Sequence, residues 1–148
     1  MKRILMVTLL LILSVTSICY AEFKNPNPDR WITVSADDMH GCWYDKETIK
    51  YIRETKSYSP CHHHKIVRCW VMMYDAENEK FPVMKLYTDF DLNCRTTKEN
   101  HIMAYDKNYK QLASLDVSFK SPEPIVPDSI GEYLISIFES EWEKHNKK

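Results

Sequence analysis

The sequence predicts an α+β fold: an antiparallel meander sheet of about six strands, with one C-terminal helix packed on one face. Short segments rich in β-branched and aromatic residues follow one another along most of the chain, and polar turns separate them. One segment near the C terminus instead repeats its apolar residues at helical spacing. Strands that follow one another through short turns favour antiparallel pairing between sequence neighbours.

The central predicted strand is apolar on both of its alternating faces, which is typical of a strand covered from two sides. Because one helix covers only one face, we expect loops or a second subunit to close the other face, or part of that face to stay exposed as a docking surface. The six predicted strands are Trp31–Val34, Cys42–Tyr44, Lys65–Tyr74 (the central one), Phe81–Leu92, Arg95–Tyr105 and Gln111–Phe119.

The helix is predicted to begin after Pro127. Ser129 and Glu132 have the spacing of a capping box, in which each side chain bonds the backbone of the other residue. The apolar residues that follow at helical spacing are expected to face the sheet. They are Ile130, Tyr133, Leu134, Ile137 and Phe138.

Residues 1–21 have the pattern of a secretory signal peptide: a basic start, an apolar run over Ile4–Val15 and a small-residue end at Ala21. The run is shorter than the roughly 20 residues that a membrane span needs. Cleavage after Ala21 is the preferred interpretation. Lipidation of Cys19 is the alternative, although Ile18 stands where a small residue is expected. We therefore predict an exported protein at the cell surface, in the periplasm or secreted.

The rest of the chain suits one domain. We predict a flexible lead-in over residues 22–29, a single domain over 30–144 and a frayed tail over 145–148. The chain has 148 residues, and without 1–21 it carries 18 cationic and 21 anionic side chains, a net charge of −3. This near-balance argues against nucleic-acid binding, which usually requires a distinctly basic protein.

Four cysteines follow the signal peptide, and an even number in an exported chain of this size indicates two disulfides. Three connectivities are open. If opposed positions of the third and fourth predicted strands sum to 155, Cys61 lies opposite Cys94. If residues 42–45 pair antiparallel with 66–69, Cys42 lies opposite Cys69. We therefore predict the disulfides Cys42–Cys69 and Cys61–Cys94.

A series of short pieces follows in a fixed order along the chain: Trp31-Ile32, Trp43-Tyr44-Asp45, Thr48-Ile49, Val67, Trp70-Val71, Tyr74, Lys85-Leu86-Tyr87, Phe90-Asp91, Cys94-Arg95, Tyr105-Asp106, Pro127-Asp128-Ser129-Ile130-Gly131-Glu132 and Leu134. Through this ordered series the chain resembles, over roughly Arg30 to Phe138, the surface-adhesin protein E family of Gram-negative bacteria. The resemblance implies an antiparallel sheet with a packed C-terminal helix, and binding to host extracellular-matrix and plasma proteins.

The chain departs from the family pattern at its cysteines. Family members often carry a second cysteine near the end of the helix, where this chain has Ile137-Phe138. Cys94 must therefore pair elsewhere, if it pairs at all. The other three cysteines and the insertion over 59–64 look like local additions, which leaves the ligand specificity open.

The segment Lys46–Arg68 is locally basic. It is either a solvated loop or an electropositive docking patch for acidic polymers or host proteins, which histidine protonation would strengthen near pH ~6. The candidate binding patch consists of Lys46, Lys50, Arg53, Lys56, His62, His63, His64 and Lys65.

Cys61 and the three histidines after it also suggest a metal site, with His40, Cys42 or His101 as further ligands. Consecutive histidines do not converge readily on one ion, and cysteines in an oxidising compartment form disulfides. A solvated loop is therefore preferred, and we predict no metal and no cofactor.

Motifs of catalysis are absent from the sequence: it has no G-x-S-x-G elbow, H-E-x-x-H helix or phosphate-binding glycine loop. We expect no catalytic residues and no enzyme activity. The prediction is a non-enzymatic exported binding module, a surface-adhesin-like protein for host matrix or plasma proteins. The alternative is a periplasmic protein that binds an endogenous partner or small ligand. We expect a protein partner, no nucleic acid and no stable membrane span, and we leave a homodimer open.

Overall fold

A computed structural model describes residues 27–55 and 61–146. The predicted signal peptide, residues 22–26 of the lead-in, Lys56 and the last two residues lie outside this part of the chain. The described elements are β1 Trp31–Ala36, β2 His40–Asp45, a 3-10 turn Lys46–Thr48, β3 Lys50–Thr55, β4 His63–Asp75, β5 Val83–Asp91, β6 Thr96–Tyr105, β7 Gln111–Asp116, β8 Glu123–Pro124 and the helix α1 Ile130–Asn146.

The strands form one antiparallel sheet in the order β1-β2-β4-β5-β6-β7. This sheet and its single C-terminal helix confirm the predicted fold class. Two short strands are additional: β3 pairs with the first half of β4, and β8 pairs with the start of β6. The interpretation of residues 46–68 as a loop is wrong for β3, because that strand pairs with β4 from Lys50 to Thr55.

The ladder between β4 and β5 is shifted from the predicted register by two residues. Opposed positions sum to 157, from Ile66 with Asp91 to Tyr74 with Val83. Because side chains alternate with a period of two, this shift leaves every residue on its predicted face of the sheet.

Helix α1 covers one face of the sheet, as predicted. Its ring contacts centre on Phe138, which lies 5.3 Å from Tyr44 and 5.1 Å from Phe90 between ring centroids. The helix is rotated relative to the predicted stripe, so that Ile130 and Tyr133 are exposed. The buried helical residues are Leu134, Ile135, Phe138 and Trp142, with Ile137 at the margin.

Both ends of α1 are fixed by side-chain bonds. The Ser129 hydroxyl accepts from the Glu132 N–H at 3.3 Å, which confirms one half of the predicted capping box. The Glu132 carboxylate accepts from the Asp128 N–H at 2.8 Å instead of from the Ser129 N–H. The helix continues to Asn146, whose side-chain amide donates to the Trp142 carbonyl at 2.7 Å. Residues 145 and 146 are therefore helical and belong to the domain instead of a frayed tail.

The opposite face is closed by aromatic side chains and by the turn between β6 and β7. Trp43, Met72 and Val83 are almost completely buried there. The Lys85 ammonium lies over the Trp31 and Tyr105 rings, at 5.4 and 5.1 Å, and burial lowers the pKa of Lys85. The aromatic residues around this second core are Trp31, Trp70, Tyr74, Tyr105 and Tyr109.

The predicted Cys42–Cys69 disulfide is wrong. Strand β2 pairs with β4 so that Cys42 opposes Met73, four residues away from Cys69. At about 3.3 Å per residue this separates the two cysteine positions by roughly 13 Å along the strand, beyond the ~4.4–6.8 Å between Cα atoms that a disulfide needs. Both cysteines are buried free thiols in the core under the helix.

A buried carboxylate joins β2 to the turn that follows it. Asp45 is fully buried and accepts two hydrogen bonds from the Arg30 guanidinium, at 2.6 and 3.0 Å. The same carboxylate accepts from the Glu47 N–H at 3.1 Å, which caps the 3-10 turn. The Thr48 hydroxyl then accepts from the Trp70 N–H, so this turn is bonded to β4. The hydrogen bond and charge of Asp45 raise the pKa of Arg30.

The two glycines provide a matched stability test. A Cβ at Gly41 would overlap the six-membered ring of Trp43, whereas a Cβ at Gly131 would meet nothing closer than the Ser129 hydroxyl at 3.4 Å. Gly41→Ala should lower the free energy of unfolding by about 1–3 kcal/mol through overpacking. Gly131→Ala, in the first turn of α1, should leave the free energy of unfolding unchanged or raise it by up to about 1 kcal/mol. Urea unfolding followed by tryptophan fluorescence measures both, and equal effects would contradict the packing of Trp43 over Gly41.

The buried thiols should resist alkylation in the native state. Burial raises the pKa of Cys42 to about 12, from 9.0, and it also raises the pKa of Cys69. Iodoacetamide at about pH 8 should label both residues only after unfolding. Because the folded pKa values are raised, the neutral thiols contribute stability below pH ~9 that is lost as the pH rises toward 12. Peptide mapping that recovers a Cys42–Cys69 crosslink would contradict this structure.

Candidate functional site

A half-open groove of about 720 Å³ lies on the sheet face opposite α1, beyond the end of the aromatic core. Its floor is built from residues that alternate along two neighbouring strands: Ile66 and Arg68 on β4, and Asp89 and Asp91 on β5. Its walls come from β3, the first half of β6 and the Cys61–Cys94 crosslink. On this sheet face, β4 and β5 therefore carry polar side chains in the groove and aromatic side chains in the neighbouring part of the same strands.

An ion pair lies at the end of the groove that adjoins the aromatic core. The Arg68 guanidinium donates two hydrogen bonds to the Asp89 carboxylate, at 2.5 and 2.8 Å, and this contact raises the pKa of Arg68. The guanidinium carbon also lies 5.9 Å from the centroid of the Tyr87 ring. Trp70 packs against Tyr87 at 5.1 Å. The ion pair thus forms the border between the polar groove and the aromatic core.

At the far end of the groove, three side chains converge on one another. Nδ1 of His64 contacts the Asp91 carboxylate and lies 3.4 Å from the Cys94 sulfur. The side chains of His64 and Asp91 are only 11% and 10% exposed. Among the described residues, the other ring nitrogen of His64 is buried without a hydrogen-bond partner.

A tight turn holds this cluster in place. Oδ1 of Asp91 accepts the N–H groups of Asn93 and Cys94, both at 3.2 Å, so that Oδ2 is left to face His64. The Leu92 N–H donates to the Lys65 carbonyl, and the Asn93 amide donates to the His63 carbonyl, each at 2.8 Å. The turn is thereby bonded to the start of β4 on both sides of His64.

The predicted disulfide Cys61–Cys94 is present, with its Cα atoms 5.8 Å apart. It forms although the β4–β5 register differs from the predicted one. The ladder ends at Ile66 and Asp91, and the turn after β5 carries Cys94 back toward the residues that precede β4. The crosslink therefore fixes one wall of the groove.

The structure divides the predicted basic patch between two sides of the sheet. Arg53 pairs with Lys65 on the helix side, where Arg53 contacts the Asn146 side chain and lies 5.7 Å from the Trp142 ring. His64 lies on the groove side. Because neighbouring strand residues point to opposite faces, the segment does not form one electropositive surface.

The remaining patch residues are scattered. His62 and His63 are exposed beside the crosslink, Lys50 pairs with Arg68 at the start of β3, and Lys46 is exposed in the 3-10 turn that precedes that strand. Lys56 lies outside the described residues.

The residues named with the Cys61–His64 segment as further metal ligands do not join it. Cys42 lies in the core under the helix, His40 is exposed beside Asp37 and Asp75, and His101 contacts Trp70 and Ser114. Sequence reasoning missed Asp91 as a neighbour of His64. The signal that could have found it is the Cys61–Cys94 pairing, which places the end of β5 beside the start of β4.

A second surface is the outer edge of the sheet. All six residues of β7 are exposed, and within the described ranges no strand pairs with its outer edge. Leu112, Leu115 and Phe119 are 47%, 57% and 82% exposed. We call these three residues and the strand the β7 ledge.

No helix in residues 27–55 and 61–146 has the length and hydrophobicity to span a bilayer. No family model matches the chain, and no curated protein or solved structure matches it either.

Breaking the Cys61–Cys94 bond should lower the free energy of unfolding by about 4 kcal/mol, because the bond closes a loop with a sequence separation of 33. Urea unfolding with and without a phosphine reductant measures the loss. The Cys61→Ser/Cys94→Ser variant should show the same loss without reductant. A loss below about 1 kcal/mol in both would contradict a crosslinked wall.

Proposed function

We propose that this protein is a non-enzymatic, exported binding module that binds host extracellular-matrix or plasma proteins, as the surface adhesins that its sequence resembles do. The observation that carries the proposal is the β7 ledge. Export is supported by the signal-peptide pattern of residues 1–21 and is compatible with the disulfide.

The β7 ledge has the properties of a surface for strand addition. An edge strand presents unpaired backbone N–H and C=O groups, which bind any extended polypeptide. Proteins usually protect such edges with inward-pointing charges, prolines or bulges that twist the edge away. The only charged residue in β7 is Asp116, at its end, and its two leucines are exposed. An extended segment of a partner protein would satisfy the backbone groups and cover these leucines.

The opposite edge of the sheet is less suited to a partner. Both edge strands have a register irregularity, β1 between Thr33 and Ser35 and β7 opposite Ala104 and Tyr105. Trp31 at the start of β1 is buried in the aromatic core, however, whereas all six residues of β7 are exposed. This difference between the two edges favours β7.

The polar cluster in the groove supports a role without catalysis. The Cys94 sulfur is held in a disulfide, and it approaches the same nitrogen of His64 as Asp91 does. In nucleophilic catalysis the imidazole uses one nitrogen for the nucleophile and the other for the orienting carboxylate. The arrangement in this protein lacks that relay.

The groove favours one alternative, a periplasmic protein that binds an endogenous small ligand. Its volume of about 720 Å³ lies within the ~300–1,000 Å³ of small-molecule sites. Its charged groups Arg68 and Asp89 would have to exchange partners with such a ligand.

A charge-insertion variant tests the ledge. Leu112→Lys/Leu115→Lys should weaken binding to immobilised matrix or plasma proteins by about 100-fold or more, because two desolvated ammonium groups would oppose the partner strand. Surface plasmon resonance against a panel of purified matrix and plasma proteins measures the change. Tyr133→Lys on α1 is the matched control, since Tyr133 is 57% exposed like Leu115, and it should bind as the unmodified protein does.

Equal binding by the ledge variant and the control would exclude β7 as the contact surface. If no protein of the panel binds, and protease treatment of intact cells leaves the protein uncleaved, the periplasmic alternative replaces the adhesive role.

A further inference from the structure

The cluster at the end of the groove combines four donor side chains that together suit a transition-metal ion. Ligand atoms of His64, Asp91 and Cys94 all lie within 4.8 Å of one another. Cys61 is covalently joined to Cys94, so its sulfur adds a fourth donor at the same place. Two sulfurs, one imidazole nitrogen and one carboxylate oxygen form a set that tetrahedral Zn²⁺ accepts.

Two potential ligand atoms approach one nitrogen of His64. The Asp91 carboxylate and the Cys94 sulfur both approach Nδ1 of His64, and a single N–H serves two such acceptors poorly. The Cys94 sulfur is 3.4 Å from Nδ1, which is about the spacing of neighbouring ligand atoms in a tetrahedral zinc site. The Asp91 carboxylate is in hydrogen-bond contact with Nδ1 and would have to move away from it to admit an ion between them.

The surroundings of these donors are already ordered. The turn after β5 holds Oδ1 of Asp91 through two backbone N–H groups and directs Oδ2 toward His64. In the described part of the chain, Nε2 of His64 is buried without a hydrogen-bond partner, so the contacts of Nδ1 set the orientation of the ring. Fixed carboxylate and imidazole orientations are typical of metal sites.

We propose that Cys61, Cys94, His64 and Asp91 form a redox-controlled Zn²⁺ site, of which the disulfide is the oxidised form. In the disulfide both sulfurs are bonded to each other and are poor ligands. A dithiol reductant transfers two electrons and two protons, which converts Cys61–Cys94 to two thiols and the reductant to its own disulfide. Zn²⁺ then displaces the two thiol protons and binds both thiolates, the imidazole and the carboxylate.

Oxidation reverses the cycle. A disulfide oxidant accepts the two electrons of the zinc-bound thiolates together with two protons, Cys61–Cys94 forms again, and the ion is released with only one imidazole and one carboxylate left to hold it. The groove wall is thus crosslinked by a covalent bond in one state and by the metal in the other. This inference does not depend on the proposed binding role of the β7 ledge.

Cobalt substitution tests the proposal in the purified protein. After reduction with a phosphine under anaerobic conditions, Co²⁺ should bind with one ion per chain and give thiolate-to-cobalt charge-transfer and tetrahedral ligand-field bands. Zn²⁺ should displace it, with an affinity about 100-fold or more above that of the oxidised protein. His64→Ala should weaken binding by about 10-fold or more, and Cys94→Ser should abolish the tetrahedral spectrum. The matched control is His62→Ala, at an exposed histidine near His64, and this variant should bind Co²⁺ and Zn²⁺ as the unmodified protein does.

Three results would overturn the proposal: no ion uptake by the reduced protein, equal uptake by the oxidised protein, or unchanged binding in His64→Ala and Cys94→Ser. Near-UV circular dichroism follows folding in the same samples. Zn²⁺ should restore the native spectrum and urea midpoint of any reduced protein that unfolds, and failure to do so also contradicts the site.

Discussion

The structure depends on covering a central strand that is apolar on both faces. β4 contributes Val67, Cys69 and Val71 to one core and Met72 to the other, and it pairs with β2, β3 and β5. Helix α1 covers Val67, Cys69 and Val71. On the other face, Met72 is covered mainly by aromatic side chains of the neighbouring strands, so no second layer of secondary structure is needed there. At roughly 25 cal/mol per Å² of apolar surface removed from water, covering both faces is the main favourable contribution to folding.

The same constraint locates the groove. Aromatic cover on the second face reaches Trp70 and Tyr87, and beyond them the strands carry charged residues that need partners inside the protein. Arg68 pairs with Asp89, and His64 contacts Asp91. The site is thus the place where one sheet face changes from apolar to polar. Its wall is held by a disulfide because the strand ladder has already ended there.

Sequence patterns predict the fold class and the Ser129 half of the helix cap because both depend on local spacing. The predicted Cys61–Cys94 bond forms although the β4–β5 register is shifted by two residues, because the turn after β5 returns Cys94 toward the residues before β4. The register of β2 against β4 could not be predicted in this way, since it depends on the buried Asp45 and the 3-10 turn that follows it. The predicted Cys42–Cys69 disulfide is therefore wrong. Strand β3 is not predicted because its cations, Lys50 and Arg53, give it the composition of a loop. The convergence of His64 with Asp91 is a tertiary contact between strand ends, to which only the predicted Cys61–Cys94 pairing points in the sequence.

In the proposed function, a host protein binds to the outer edge of β7. Hydrogen–deuterium exchange of the protein alone and in complex with a bound matrix or plasma protein tests this most directly. The account predicts that amides of β7 exchange rapidly in the free protein and become protected in the complex, while β1 is unchanged and β4 remains the slowest element in both. Protection that appears at β1 or in the groove, with β7 still exchanging rapidly, would contradict it.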